Sequence, residues 1–149
     1  MLLAFLISAC GPDYVYDKTY EMEQQSWSYA DTLEFSFEVA DTNTIYNLWL
    51  ELGHSTSYKN QNLYTQIHTV FPSGQRITET LSLEMANKAG QWLGDCSGDI
   101  CELRIPIQSG AYFDQSGTHR IIIAQHMRRN PVEGIRSISF RLEDTGQSR

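Results

Sequence analysis

Polar and apolar residues alternate with a period of two along most of this chain, which is the period of a β-strand with one buried face. The alternation is clearest where apolar side chains occupy every second position of 33–39: Leu33, Phe35, Phe37 and Val39. The same pattern, or an apolar run of strand length, recurs in further segments: 46–52, 63–69, 77–83, 101–105, 118–126 and 138–142. The sequence therefore predicts seven or eight strands and no convincing helix.

Turn residues separate these strands, as at 41–44 and 71–75. Many short strands at this spacing favour a two-sheet antiparallel β-sandwich, jelly-roll-like in type, with a closed β-barrel as the alternative. Within such a fold, 118–126 predicts a central strand because it is the most apolar run after the N-terminal segment. Pro106 either ends the strand that begins at Cys101 or places that strand at a sheet edge.

The composition fits one globular domain, with 149 residues of which 41% are hydrophobic. The formal net charge is −7, and an acidic surface repels phosphate backbones, so nucleic acid is not expected as a partner. One cluster departs from this acidic character, since Arg128, Arg129 and Arg136 lie close together. The cluster is either a solvated edge or a site for an anion or a partner protein.

The first ten residues carry no charge and are almost wholly apolar. The segment is too short to cross a bilayer as a helix but is typical of the end of a secretory signal peptide. It closes with Ile7-Ser8-Ala9-Cys10, which matches a bacterial lipobox. We predict that the Cys10 thiol carries a diacylglycerol, the alternative being a buried N-terminal strand. Because no Lys or Arg precedes the apolar run, we expect a start codon further upstream or the loss of a short basic stretch.

The chain then divides into four predicted parts. Residues 1–9 are a signal-peptide remnant, and 10–26 are the lipidated N-terminus and a tether that alternates acidic and aromatic residues. Residues 27–144 form the β-sandwich domain, and 145–149 are a polar tail.

Cys96 and Cys101 are separated by four residues, a spacing that permits a disulfide across a turn. A thiol redox motif would have two intervening residues, and a structural zinc site would need further ligands nearby. We expect either a disulfide or two free thiols, and no catalysis by this pair.

No motif for catalysis or cofactor binding is evident. The four histidines, at 54, 68, 119 and 126, have no metal-ligand spacing, and neither a nucleophile elbow nor a phosphate-binding glycine loop occurs. We therefore predict that the chain is not an enzyme and needs no metal or cofactor.

A set of short motifs occurs in order between Cys10 and about Glu143: Trp27 after a tyrosine-rich stretch, Tyr46-Asn47-Leu48-Trp49-Leu50, Tyr58-Lys59-Asn60-Gln61-Asn62-Leu63, Phe71-Pro72-Ser73-Gly74, Thr78-Glu79-Thr80-Leu81, Gly90-Gln91-Trp92-Leu93-Gly94, Gln125-His126-Met127-Arg128 and Val132-Glu133-Gly134-Ile135. This ordered set resembles the gliding motility lipoprotein GldH family of the Bacteroidetes. Two departures stand out: the cysteine pair, and His119 where the resemblance leads us to expect an aromatic residue.

The resemblance implies an envelope lipoprotein needed for gliding and linked to the type IX secretion and motility apparatus, without catalytic residues to carry over. It implies anchoring to the membrane through the lipid on Cys10. Since no acidic run follows Cys10, we expect the outer membrane, with the domain facing the periplasm.

We expect such a protein to act through contacts with envelope proteins. The candidate docking residues are Trp49, Trp92, Met127 and Arg128, because tryptophan and arginine are enriched where proteins meet. The alternative is a carbohydrate-binding module, since sandwich folds bind sugars through exposed aromatic residues: Trp49, Tyr58, Tyr64, Trp92 and Tyr112. A row of coplanar aromatic rings would favour sugar, whereas a mixed Trp, Met and Arg patch would favour a protein.

Overall fold

A computed structural model describes residues 11–149, so Cys10 and the apolar segment before it lie outside the described residues. The described strands are β1 (Asp13–Glu21), β2 (Ser26–Trp27), β3 (Leu33–Val39), β4 (Thr44–Ser55), β5 (Asn62–Val70), β6 (Arg76–Glu84), β7 (Asp95–Ser97), β8 (Ile100–Ala111), β9 (Gly117–Gln125), β10 (Val132–Glu133) and β11 (Ile135–Ser148). A single 3-10 helical turn, Glu23–Gln25, follows β1. None of the described residues forms a helix long and apolar enough to span a bilayer.

Two antiparallel sheets form the domain. One has five strands in the order β1-β11-β4-β8-β7, and the other has four in the order β3-β9-β5-β6, while β2 and β10 make a small separate pair. Neither sheet closes on itself, so the structure confirms the β-sandwich and excludes the barrel alternative. β9 is an inner strand of the four-stranded sheet, as the apolar run at 118–126 predicts.

Alternation of side chains builds the core between the sheets. Every second residue of β3 is buried, and the facing sheet contributes Leu50, Leu52 and Phe140, each fully buried. Phe140 lies 5.6 Å from Phe35 between ring centroids, so an aromatic contact joins the two sheets at mid-height.

Both segments predicted to lie outside the domain belong to the five-stranded sheet. Residues 13–21 of the predicted tether form β1, which pairs with β11 from Asp13 opposite Asp144 to Glu21 opposite Ser137. β11 continues to Ser148 and so includes most of the predicted polar tail. The ladder hydrogen bonds, and the tyrosines of β1 that pack against the core, explain why these polar stretches are extended strands.

β8 passes through Pro106 and continues to Ala111. β7 pairs only with the first residues of β8, from Ile100 to Glu102, so Pro106 lies on the part of β8 that forms a sheet edge. Of the two predictions for Pro106, the edge position is the one observed, because a residue without an N–H is tolerated where no neighbouring strand needs it.

The strands run between two ends of the sandwich. We call the end where β1 begins, at Asp13 beside Asp144 and Tyr46, the base. We call the opposite end, where β4 ends, β9 ends and β11 begins, the tip. The loops that follow β1, β4 and β9 therefore meet at the tip.

Candidate functional site

The tip carries a cleft of about 270 Å³ between loops that are distant in sequence. We call it the tip cleft, and it is lined by Gln24, Gln25, Ser57, Lys59, Asn60, Met127, Arg129, Val132, Glu133 and Gly134. Val132 is buried and Met127 is half-buried, whereas Lys59 and Arg129 are exposed. The cleft therefore combines apolar surface with two cations.

Two adjacent residues of the cleft have left-handed backbone conformations. Gln24 has φ 54° and Gln25 has φ 56°, values that side chains with a Cβ rarely adopt. Each costs roughly 1 kcal/mol or more and persists only where the surrounding structure fixes it. The Gln25 carbonyl accepts a hydrogen bond from the Gly134 N–H at 2.8 Å, which helps to hold the turn.

Gly134 connects two walls of the cleft. Its N–H donates to Gln25, and its carbonyl accepts from the Ser55 N–H at 2.8 Å. Its φ is +90°, and a Cβ at this position would lie 3.2 Å from the Tyr58 Cα, so the site requires glycine. Tyr58 beneath it is buried, which raises the pKa of its hydroxyl to about 12, and this hydroxyl donates to the Asn62 carbonyl at 2.7 Å.

Met127 is held in the loop after β9 by several hydrogen bonds. Its N–H donates to the buried Gln125 side chain at 2.8 Å, and its sulfur accepts from the Tyr64 N–H at 3.2 Å. Its carbonyl accepts from the Tyr29 hydroxyl. These bonds fix the thioether at the cleft, while the rings of Tyr29 and Tyr64 remain largely exposed.

Trp49 lies elsewhere, on the outer face of β4. Its indole N–H donates to a Glu143 carboxylate oxygen at 2.7 Å, and the Arg104 guanidinium lies 4.0 Å from its ring centroid. Arg104 also donates to the Tyr14 hydroxyl. The polar atom and one face of Trp49 are thus engaged within the outer face of the five-stranded sheet.

Trp92 packs against the core from the segment between β6 and β7. It bridges to Ala86, and its ring lies 4.6 Å from that of His54. His54 is fully buried, its Nδ1 donates to the Ser55 carbonyl at 3.0 Å, and burial lowers its pKa. The four candidate docking residues are therefore divided among three places: Met127 lines the tip cleft and Arg128 is next to it, while Trp49 and Trp92 are on other surfaces.

His119 occupies an aromatic position of the core. Its ring stacks on Phe37 at 5.8 Å between centroids and lies 4.7 Å from Phe113 and 5.7 Å from Phe71. Burial lowers its pKa, and its Nε2 has no hydrogen-bond partner among the described residues. The histidine thus takes the packing role of the aromatic side chain that the resemblance leads us to expect.

Cys96 and Cys101 face each other across the β7–β8 hairpin and are joined by a disulfide. Cys101 is fully buried and Cys96 is exposed, so the bond ties the short edge strand β7 to the sheet. Within residues 11–149, no group of three or more His, Cys, Asp or Glu side chains is arranged to hold a metal ion.

The model of the GldH lipoprotein family matches residues 14–142. The chain belongs to the GldH lipoprotein family. It is 31% identical over 145 residues to a gliding motility lipoprotein GldH homolog of Christiangramia forsetii, with 93% of this chain and 88% of that protein covered. It is 28% identical over 150 residues to the gliding motility lipoprotein GldH of Flavobacterium johnsoniae, with 96% and 92% covered. Family membership confirms the resemblance seen in the sequence and makes the chain a membrane-anchored lipoprotein of the cell envelope.

Among solved structures, the chain is similar to a part of dimeric latent PorU from Porphyromonas gingivalis. The alignment has 14% identity and a TM-score of 0.33, and covers 89% of this chain and 13% of that one. A likeness this weak supports no conclusion about function.

In this GldH family member, Gln24, Gln25 and Lys59 line the same cleft as Met127, which was not predicted from the sequence. Their approach depends on where β1, β4 and β9 end, which residue spacing does not specify. Two features of the sequence point to a site in this region: the arginines at 128 and 129, and the glycine at 134 close after Pro131.

Proposed function

We propose that this GldH lipoprotein is a non-catalytic component of the gliding motility and type IX secretion machinery that works through contacts with other envelope proteins. It is held by the lipid on Cys10 in the outer membrane and faces the periplasm. The observation that carries this proposal is the tip cleft, in which the half-buried Met127 lies beside Lys59 and Arg129. Methionine and arginine are both enriched where proteins meet.

The lining of the tip cleft favours a protein over a sugar. Sugar sites present aromatic ring faces to the flat apolar face of a pyranose, and no aromatic side chain is among the residues that line this cleft. Tyr58 is buried, so its ring offers no platform. Trp49 is covered on one face by Arg104, and Tyr112 by Arg149 at 4.3 Å. Carbohydrate binding remains the alternative that the experiment below tests.

The use of the histidines supports a non-catalytic role. A general base needs a nitrogen that reaches a substrate, whereas His54 and His119 are buried in aromatic surroundings and their pKa values are lowered by that burial. Both rings therefore serve packing.

The experiment is purification of the tagged full-length lipoprotein from membranes of its own host, with co-purifying proteins identified by mass spectrometry. A Cys10→Ala form purified in parallel is the matched control for anchoring. We expect motility or secretion proteins with the lipidated form and weaker recovery with Cys10→Ala. Recovery of no such protein, together with retention on a glycan column, would replace the proposal with the carbohydrate-binding alternative.

A further inference from the structure

The first residue of β1 and the tip cleft lie at opposite ends of the domain. Only Gly11 and Pro12 separate Cys10 from β1, whose first residue, Asp13, is at the base. A lipid on Cys10 therefore keeps the base close to the membrane, because the three residue steps from Cys10 to Asp13 span at most about 11 Å. β1 has nine residues and rises about 3.3 Å at each, so the base and the tip lie about 30 Å apart along the sheet.

Three arginines outside the tip cleft have carboxylate partners: Arg120 with Glu34 at 2.9 Å, Arg141 with Glu51 at 2.6 Å, and Arg149 with Asp114 at 3.3 Å. Other basic residues outside the cleft, such as the exposed Arg76 and Lys88, have no carboxylate within 4.0 Å among the described residues. At the cleft, the side chains of Lys59, Arg128 and Arg129 have no carboxylate within 4.0 Å in the described part of the chain. Two cations without a carboxylate partner, Lys59 and Arg129, therefore line the tip cleft of a chain whose formal net charge is −7.

We propose that the tip cleft receives an acidic segment of a partner protein on the side of the domain away from the anchoring membrane. This inference rests on the proposed function and adds the chemistry of the partner. The charge of the site is complementary to such a segment, because Lys59 in the loop after β4 and Arg129 in the loop after β9 both line the cleft and attract carboxylates.

The other groups of the cleft fit the rest of that segment. Met127 and the buried Val132 offer apolar contact to a side chain placed between two acidic residues. The amides of Gln24, Gln25 and Asn60 supply donors and acceptors for its backbone. Glu133 is the one carboxylate among the lining residues, and it disfavours a ligand whose negative charge is uniformly dense.

The test is photo-crosslinking in the host cell with the full-length lipoprotein. A photoreactive phenylalanine analogue is placed at Asn60, which is exposed and lines the cleft, and in a second strain at Gln147, which is exposed at the base. The crosslinked peptide is then sequenced by mass spectrometry. We expect the Asn60 position to capture a protein segment of net negative charge that the Gln147 position does not capture.

Charge reversal in the strain with the photoreactive residue at Asn60 tests which cations attract the captured segment. Lys59→Glu with Arg129→Glu is expected to reduce the yield of this adduct at least tenfold. Arg76→Glu with Lys88→Glu changes the net charge by the same amount at exposed positions that do not line the cleft, and is expected to leave the yield unchanged. Circular dichroism of both purified double variants checks that each has the wild-type fold, and loss of the fold moves the test to Lys59→Ala and Arg129→Ala.

The inference is overturned by a neutral or basic crosslinked segment, by a lipid adduct at Asn60, by no adduct there, or by a yield that the cleft reversal leaves unchanged. Its failure is distinguishable from failure of the proposed function. If the cleft variants still co-purify motility or secretion proteins, the scaffold role stands and a different surface makes the contact.

Discussion

The hydroxyl of Tyr20 in β1 donates a hydrogen bond to the backbone carbonyl of Glu34 in β3 at 2.7 Å, across the gap between the two sheets. Four residues earlier in β1, the Tyr16 hydroxyl accepts from the Ser36 N–H at 3.2 Å. Two side chains thus satisfy backbone groups on the edge of β3 that has no neighbouring strand. One side of the sandwich is closed by tyrosines in place of a further strand.

Removing either hydroxyl is expected to weaken this closure. Tyr20→Phe and Tyr16→Phe should each lower the free energy of unfolding by about 1 kcal/mol, since the ring packing is retained and one hydrogen bond is lost. Urea unfolding measures the change. Tyr64→Phe, at an exposed tyrosine, is the control and should change stability by much less. Equal stability of Tyr20→Phe and wild type would show that water replaces the bond without cost.

β3 and β1 differ in whether the sequence alone predicts them. β3 was predictable because its apolar residues alternate strictly and each lies in the core. β1 was not, because its inward face carries Lys18 between Tyr16 and Tyr20, and these tyrosines pack through the ring but present a polar hydroxyl. Its partner β11 is also more than a hundred residues away. Pairing over that distance supplies the stability that the local pattern of β1 does not show.

The left-handed backbone of Gln24 and Gln25 at the tip cleft predicts that glycine is tolerated there and that a β-branched residue is not. Gln24→Val should lower the free energy of unfolding by about 1–2 kcal/mol, because a β-branched residue is poorly accommodated at φ 54°. Gln24→Gly should not lower it, since glycine adopts this conformation without steric cost. Gln108→Val, at an exposed position of β8, is the matched control and should be nearly neutral. A neutral Gln24→Val would mean that the turn has a different conformation in solution.

Three histidines with lowered pKa values predict that stability falls in mild acid. The pKa values of His54, His68 and His119 are lowered, chiefly by burial, below the ordinary value of 6.5. The unfolded chain therefore binds more protons than the folded one once the pH falls below about 6.5. The free energy of unfolding is therefore undiminished by these histidines above about pH 6.5. It falls progressively as the pH drops towards their folded-state pKa values.

One substitution isolates the effect of His119 on the pH dependence of stability. His119→Phe keeps an aromatic ring among Phe37, Phe71 and Phe113 and removes the group that titrates. We expect its stability at pH 7.5 to equal or exceed that of wild type, because the buried Nε2 without a partner is gone. Between pH 7.5 and pH 5 it should lose less stability than wild type in urea unfolding. Parallel losses in the two proteins would contradict this account.

The disulfide should stabilise the β7–β8 hairpin. Cys96→Ala with Cys101→Ala, made in a Cys10→Ala background, is expected to lower the free energy of unfolding by about 2 kcal/mol, the magnitude for a short closed loop. A thiol reductant should lower the stability of the parent by a similar amount and leave the double variant unchanged. No response of the parent to reductant would show that the two thiols are free in solution.

The candidate site was predictable only in part. Met127 and Arg128 were accessible to sequence reasoning because they belong to a motif of the family resemblance and Arg128 to the basic cluster. The period of two in 46–52 puts Trp49 on the face of β4 opposite the buried Leu48 and Leu50. Its neighbours Arg104 and Glu143 come from two other strands, so their engagement of the indole depends on register across the sheet.

The strand order also bears on when the protein acquires its fold. β11, the last in sequence of the described strands, lies between β1 and β4, so β1 has no sheet neighbour until β11 has been synthesised. The five-stranded sheet of a nascent chain therefore stays incomplete while the residues between β1 and β11 are made. Such an order favours folding of the domain after its synthesis over folding strand by strand during it.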